Sequence, residues 1–279
     1  MYDLHTHSCI SDGTEPVAEL VAQVAAAGLS GFALTDHDTS AGWGQAQQAA
    51  QGLGLDFLPG MEISCASQGV SIHLLAYLLD PEHEALAAEV SRARESRVGR
   101  AQKMVELLAE DYPISWELVQ QQAHEGATLG RPHIADALVA LKVVESRSEA
   151  FARILTTSSK YYLPYYALDP VRAVELVRQA GGVPVMAHPK AYSRGKVASD
   201  QVIYSMIEAG LAGFEVYHRD NTAEGQKWLL ETAASYDLLV TGASDYHGAG
   251  KPNRLGENWT SLETAERIKE AGRQQAGRQ

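Results

Sequence analysis

A chain of 279 residues, 45% apolar and 21% charged, has an ordinary globular balance and can bury a sizeable core as one barrel or two domains. Its formal charge of −12 disfavours broad binding to long duplex nucleic acid, and no apolar run of about 18 residues is present to span a membrane. No basic segment followed by an apolar one opens the chain, and Cys9 and Cys65 form no Cys-x-x-Cys pair, so a cytoplasmic protein with small, buried, reduced thiols is expected.

In chain order, strands are predicted at 1–5, 31–35, 55–59, 70–77, 183–187, 213–217 and 237–241. Most are short apolar runs without strict alternation, as in buried parallel strands. A helix over 15–27 follows the capping signal Asp12-Gly13-Thr14 and stops at Gly28. From 81 to 165 the rhythm changes to consecutive helices over 82–110, 115–124, 131–141 and 147–156, read as a helical insertion that caps the substrate. Helices resume at 170–180, opened by Asp169-Pro170 and ended at Gly181-Gly182, then at 200–209 and 222–236. The polar tail, 263–279, is expected to fray. Alternating strand and helix gives an α/β class, and seven repeats suggest a closed or nearly closed barrel. The domains are then 1–80 with 166–279 as the barrel and 81–165 as the insertion.

Histidines and acids gather at the ends of these runs. His5 and His7 close the first strand, and their i, i+2 spacing puts both side chains on one face. Asp36-His37-Asp38 follows the second run, Glu62 the third, His188 the fifth, and Asp245 and His247 the seventh. His73 lies inside the fourth run, where it either packs as a core residue or turns toward the same site. In a parallel barrel, positions at strand ends share one rim, where catalytic residues lie. Imidazole with carboxylate is a mixed N/O donor set that suits Zn, Mn or Fe. Singly, each residue is equally well a turn residue, a cap or a core histidine. Together, six histidines beside acids are better explained by a multinuclear metal site.

These segments resemble the motifs of the PHP (polymerase and histidinol phosphatase) family of metal-dependent phosphoesterases. His5-x-His7 with Ser11-Asp12-Gly13, Thr35-Asp36-His37, Gly60-Met61-Glu62 with His73, Ala187-His188-Pro189 and Ser244-Asp245-Tyr246-His247 carry the likeness. The resemblance implies a distorted (β/α)7 TIM-like barrel and two to three divalent ions, Mn favoured over Zn or Fe. It also implies how the ligands divide: His5, His7, Glu62 and Asp245 for one ion, Glu62, His73 and His188 for a second, Asp12, His37 and His247 for a third. A metal-bound hydroxide would then attack phosphorus, because a divalent cation lowers the pKa of bound water. Three cations against the carboxylates of Asp12, Glu62 and Asp245 leave a net positive site that suits phosphate better than a neutral amide. His218, at the end of the sixth strand, is the candidate general acid, a hydrogen-bonded structural histidine being the alternative.

In the insertion, Gly130-Arg131-Pro132-His133-Ile134-Ala135 begins a helix, whose N-terminus favours anions. Ser158-Ser159-Lys160-Tyr161-Tyr162 offers a cation, hydroxyls and rings, or simply a packing loop. The segment Gly-Arg-Pro-His-Ile-Ala resembles the nucleoside 3′,5′-bisphosphate phosphatase branch. That likeness implies that Arg131, His133 and Lys160 clamp a 5′-phosphate while the 3′-phosphate is hydrolysed, with some trimming of short oligonucleotides from the 5′ end. Arg92, Arg94, Arg97, Arg100 and Lys103 read as a solvated helix face, and Arg194 and Lys196 as an ordinary mobile loop.

The leading expectation is a phosphatase for a small phosphorylated nucleotide, with the oligomeric state open. The alternatives are a histidinol-phosphate phosphatase or other phosphomonoesterase, a processive DNA exonuclease, an amidohydrolase and a non-catalytic metal-binding interaction module.

Overall fold

A computed structural model describes residues 1–124 and 127–277. Seven strands form one sheet in chain order: β1 (Tyr2–Thr6), β2 (Gly31–Leu34), β3 (Asp56–Ser67), β4 (Val70–Tyr77), β5 (Val183–Met186), β6 (Gly213–Tyr217) and β7 (Leu239–Gly242). All seven predicted strands are present, but the expectation of a wholly parallel sheet fails at β4. It runs antiparallel to both β3 and β5. The cause is local. Gln68 and Gly69, at φ 52° and 76°, form a two-residue turn that sends the chain straight back.

The hairpin also lengthens β3 well beyond the predicted 55–59, so Glu62 sits inside the strand rather than after it. Its register pairs Glu62 with Leu75 and Ser64 with His73, which places Glu62 and His73 on one face as diagonal neighbours. Because β4 is reversed, its N-terminal half lies at the rim reached by the C-terminal ends of the parallel strands. That settles His73: it shares the rim, and it is not a core residue.

The sheet closes to a nearly complete barrel. Thr6 bridges Tyr246 in parallel, with the His7 N–H donating to the Tyr246 carbonyl at 2.9 Å. At the other end of the seam, Tyr2 and Thr260 exchange antiparallel hydrogen bonds of 3.0 and 2.8 Å. Around the sheet lie α1 (Val17–Ala26) and α2 (Trp43–Leu53). The sequence reading did not anticipate α2: its polar, glutamine-rich run buries only Ala46 and Ala50, one turn apart.

The insertion contains α3 (Glu84–Leu108), α4 (Trp116–Gln120), α5 (Arg131–Ala140) and α6 (Arg147–Arg153), close to the helices predicted there. It has an apolar core of its own, with Met104, Leu108, Ile134, Leu138, Ala150 and Leu155 fully buried. The chain returns through α7 (Pro170–Gln179), α8 (Asp200–Glu208), α9 (Ala223–Tyr236) and α10 (Leu262–Ala276). Asp169 caps α7 as expected, accepting from the N–H groups of Val171 and Arg172. Asp12 does not cap α1, whose N-cap is Pro16, because its carboxylate turns toward the rim. The tail does not fray through residue 276: α10 buries Ala265, Ile268 and Gly272. The part of that expectation covering 278–279 lies outside the described residues. No helix among the described residues is long and apolar enough to cross a membrane.

Leu138→Ala should lower the stability of the folded chain by roughly 2–5 kcal/mol, the usual cost of a large-to-small change in a packed core. Denaturant unfolding followed by circular dichroism measures it.

Candidate metal centre

Seven imidazoles converge at the rim, namely those of His5, His7, His37, His73, His188, His218 and His247. Successive rings lie within 6 Å, such as 4.0 Å between His7 and His247 and 5.4 Å between His73 and His188. Three carboxylates face them. Glu62 lies 3.2 Å from His5 Nε2, 3.1 Å from His7 Nε2, 3.2 Å from His37 Nδ1 and 2.7 Å from His73 Nδ1. Asp12 lies 3.2 Å from His247 Nε2, and Asp245 lies 3.4 Å from His5 Nε2. Thus all nine predicted metal ligands gather in one buried cup.

Three groups of donors are close enough to share an ion: His7, Asp12, His37 and His247; His5, His7 and Asp245; and His37, Glu62 and His73. This differs from the division implied by the resemblance in letting His7 and His37 each reach two neighbouring groups.

The donors fit divalent cations. Nε2 of His5 and Nε2 of His7 lie 3.1 Å apart. Hydrogen bonding on the far side of each ring fixes which nitrogen faces inward. His5 Nδ1 donates to Glu215 at 2.9 Å, and His247 Nδ1 donates to the Asp245 carbonyl at 2.9 Å. The hydroxyl of Ser11 donates to Asp36, so at 3.4 Å it accepts from His7 Nδ1. Each leaves an Nε2 lone pair turned inward, which is the tautomer a metal requires. His37 Nδ1, Glu62 Oε1, His73 Nδ1, His188 Nε2 and His247 Nε2 are buried and have no hydrogen-bond partner.

Charge follows the same pattern. Burial holds His37 and His188 well below the usual histidine range, aided at His188 by Arg194, and pushes His247 down to about 4. Burial opposes ionisation of Asp12, Glu62 and Asp245. Facing imidazoles outweigh it at Asp12 and Glu62, as do Lys251 and Arg194 at Asp245, and all three stay well below the carboxylate range. At His5 burial is overcome by Glu62, Glu215 and Asp245, which raise it well above its ordinary value. The acids demand positive charge there, from a proton or a metal ion.

Backbone strain marks the same residues. His188 and Asp245 have φ of 31° and 55°, and Asp38 follows His37 at 53°. Two further acids brace the loops. Asp36 accepts from the Ser8 N–H, the Ser8 hydroxyl and the Ser11 hydroxyl at 2.9, 2.7 and 2.6 Å, which shapes the loop that carries Asp12. Gly13 in that loop has no room for a side chain, since a Cβ would lie 2.4 Å from the His7 carbonyl. Asp38 accepts from the Ser64 N–H and hydroxyl and pairs with Arg97 at 3.1 Å.

A family model for the PHP domain matches residues 3–167, more than half of the chain. The chain belongs to the PHP family. A relative from Chromobacterium violaceum, named a 3′,5′-nucleoside bisphosphate phosphatase, is 30% identical over 90% of this chain and 89% of its own. A 5′-3′ exoribonuclease from Haemophilus influenzae is 30% identical over 92% of this chain and 93% of its own. A crystal structure from Bifidobacterium adolescentis, described provisionally as a metal-dependent phosphoesterase, is 46% identical, with TM-score 0.95 over 97% of this chain and 96% of that one. Family and fold together make this PHP chain a phosphoric ester hydrolase.

The remaining predicted residues are placed as follows. His218 is fully buried, its ring 5.3 Å from that of His188 and its Nε2 3.6 Å from Asp245. Arg131 and His133 lie on the first turn of α5, where His133 Nδ1 accepts the Gly130 N–H. Lys160 is exposed and has an acidic partner of its own. It pairs with Asp111 at 2.6 Å, just beyond the end of α3.

The basic stretch on α3 is not uniformly solvated. Arg97 and Arg100 are only 9% and 7% exposed. Nor is Arg194 in a merely mobile loop, since it bridges Asp220 and Asp245 at 2.6 Å each. The sequence reading also missed Glu215, whose one signal is a lone acid inside the apolar strand Gly213–Tyr217.

Asp36→Ala leaves buried donors unmade and should cost about 3 kcal/mol of stability. It should also raise the metal concentration needed for half-occupancy by slackening the Asp12 loop. Chemical denaturation and metal titration test the two halves of this expectation.

Proposed function

We propose that this chain hydrolyses the 3′-phosphate of nucleoside 3′,5′-bisphosphates to give 5′-nucleotides. The observation that carries this reading is a second anion site beside the metal centre, built by Arg97, Arg100 and Arg131. Among the described residues, Asp38 is the only acid in an ion pair with the three. Arg97 Nε and Arg100 Nε and Nη1 are buried without a hydrogen-bond partner. Desolvation, then repulsion from Arg131, pushes Arg100 down to about 10. Like charges held together in a buried place signal a missing anion, and a phosphate matches guanidinium geometry. A monophosphate such as histidinol phosphate would leave this site unused.

Two or three divalent ions, manganese being our first choice, would be held by His5, His7, Asp12, His37, Glu62, His73, His188, Asp245 and His247; when bound they polarise phosphoryl oxygens and acidify water. Arg97 binds the non-reacting phosphate from one side while Asp38 and Ser64 hold its guanidinium at the rim. Arg131 lies over Phe151 and Tyr162, and Arg100 over Tyr165, so the insertion, 81–165, presents these cations against rings as a substrate cap. His133, buried beside them, lines this pocket, and Lys160 has no direct part in it. Arg147, the first residue of α6, ties cap to barrel: its guanidinium pairs with Asp136 of α5 and donates to the Asp12 carbonyl at 2.8 Å.

His218 assists the leaving group. Its Nδ1 accepts the Asp220 N–H, which places its proton on Nε2, the buried atom that faces the site; from there it donates a hydrogen bond to the leaving oxygen, and the proton that oxygen finally takes comes from water. That tautomer is the opposite of the one held by His5, His7 and His247, which makes His218 a donor and not a metal ligand.

Trimming of short oligonucleotides from the 5′ end uses the same two anion sites, and the relative named a 5′-3′ exoribonuclease favours keeping it as a second activity.

Incubating manganese-loaded protein with adenosine 3′,5′-bisphosphate should release phosphate and leave adenosine 5′-monophosphate, and chelation should abolish the release. No phosphate with manganese, zinc or iron would defeat the reading. Arg100→Ala should raise KM for the bisphosphate roughly 10- to 100-fold, the worth of a charged hydrogen bond, with little effect on a simple phosphomonoester. His218→Asn should lower kcat about 100-fold or more at unchanged metal content, measured by steady-state kinetics and metal analysis.

A further inference from the structure

Glu215 is fully buried in the middle of β6 and belongs to none of the donor groups. Its two oxygens do different work. Oε1 accepts from His5 Nδ1 at 2.9 Å. Oε2 accepts from the backbone N–H of His188 at 2.8 Å, the residue whose φ is 31°. The β6 backbone that carries Glu215 is itself held, because Asn221 Nδ2 donates to the carbonyls of Glu215 and Val216 at 2.9 and 3.0 Å.

The consequence lies on the other side of the His5 ring. His5 Nε2 faces Glu62 at 3.2 Å, Asp245 at 3.4 Å and His7 Nε2 at 3.1 Å. The two carboxylates are acceptors. Left to itself, a neutral His5 would place its proton on Nε2 and donate to them, and its lone pair would point away from the cup. Glu215, an acceptor placed behind the ring, draws that proton to Nδ1 and turns the Nε2 lone pair inward.

We infer that Glu215 is a positioning residue: through one carboxylate it fixes His5 as an Nε2 donor and clamps the strained backbone of His188. It thereby ties ligands from β1 and from the end of β5 to a common anchor on β6, and it sets metal affinity without touching substrate. The inference rests on the metal-centre reading above.

The test compares metal binding by wild type, Glu215→Gln, His5→Ala and the double variant, using competition with a chromophoric chelator and the visible spectrum of the cobalt(II)-loaded protein. Glu215→Gln keeps the shape but can no longer accept with both ends. It should weaken metal binding roughly 10- to 100-fold, the usual effect of losing such a partner, and shift the cobalt spectrum. KM for substrate should be unchanged at saturating metal. In the His5→Ala background, Glu215→Gln should add less than it does alone, because the two residues act through one ligand. Wild-type affinity and spectrum in a folded Glu215→Gln protein would overturn the inference.

A second measurement needs no Glu215 variant. Long-range 1H–15N correlation on zinc-loaded wild type, with His5 assigned by His5→Gln, should show the proton on Nδ1. A proton on Nε2 would equally overturn the inference. Wild type that binds no metal at all would instead overturn the metal-centre reading, so the two failures are distinct.

Discussion

Buried carboxylates facing a ring of buried imidazoles are the constraint around which this chain is organised. Ionised acids inside a protein are tolerated only when paired or when they hold cations. Here Glu62, Asp12 and Asp245 are held well below the carboxylate range despite burial, and burial holds His37, His188 and His247 among the imidazoles beside them below the usual histidine range. Such an arrangement is expensive without positive charge at its centre. The surrounding structure supplies the containment. A barrel seam closes through His7 and Tyr246, loops are pinned by Asp36 and Asp38, and the left-handed conformation is forced on His188 and Asp245.

The reversed strand is the topological price of gathering so many donors at one end. A purely parallel barrel offers its rim only the residues at strand C-termini. Turning β4 around lets its N-terminal half contribute His73, while the continuous hairpin lets β3 run past the rim to carry Glu62 and Ser64. Ser64 then reaches Asp38 and, through it, Arg97 of α3. A single two-residue turn at Gln68 and Gly69 thus connects the metal cup with the arginine pocket.

Much of this was legible in the sequence, and the reason is physical. A histidine or acid at the end of a short apolar run breaks the local pattern, and most of the nine ligand candidates did so, His73 lying inside its run and Asp12 in a turn. Strand count followed from the same runs. Glu215 broke the pattern too, but its partners, His5 and His188, are far away in the chain and give no local sign. Arg97 and Arg100 were hidden for a related reason. Helical spacing spreads Arg92 to Lys103 around the axis, and only the packing of α3 on the barrel decides which of them are buried. The partner of Lys160 was hidden as well: it pairs with Asp111, far back in the chain, which no local pattern announces. The direction of β4 was not readable from its composition, because an apolar run looks the same in either direction.

Under the proposed function, selectivity would follow from placing the two anion sites on different parts of the chain. The metal cup belongs to the barrel, whereas Arg100 and Arg131 belong to the insertion, and Arg97 with Asp38 stands between them. The separation of the sites is therefore set by how the insertion docks, and Arg147 fixes that docking by joining α5 to the backbone of Asp12. An anion with one phosphate would then satisfy either site but leave the arginine cluster or the metal cup unmatched. On the same proposal, a ligand with two phosphates at the right spacing would satisfy both at once. Because the same Asp12 loop serves metal binding and cap docking, a loosened Arg147 would blur the distance between the sites and weaken the metal cup together.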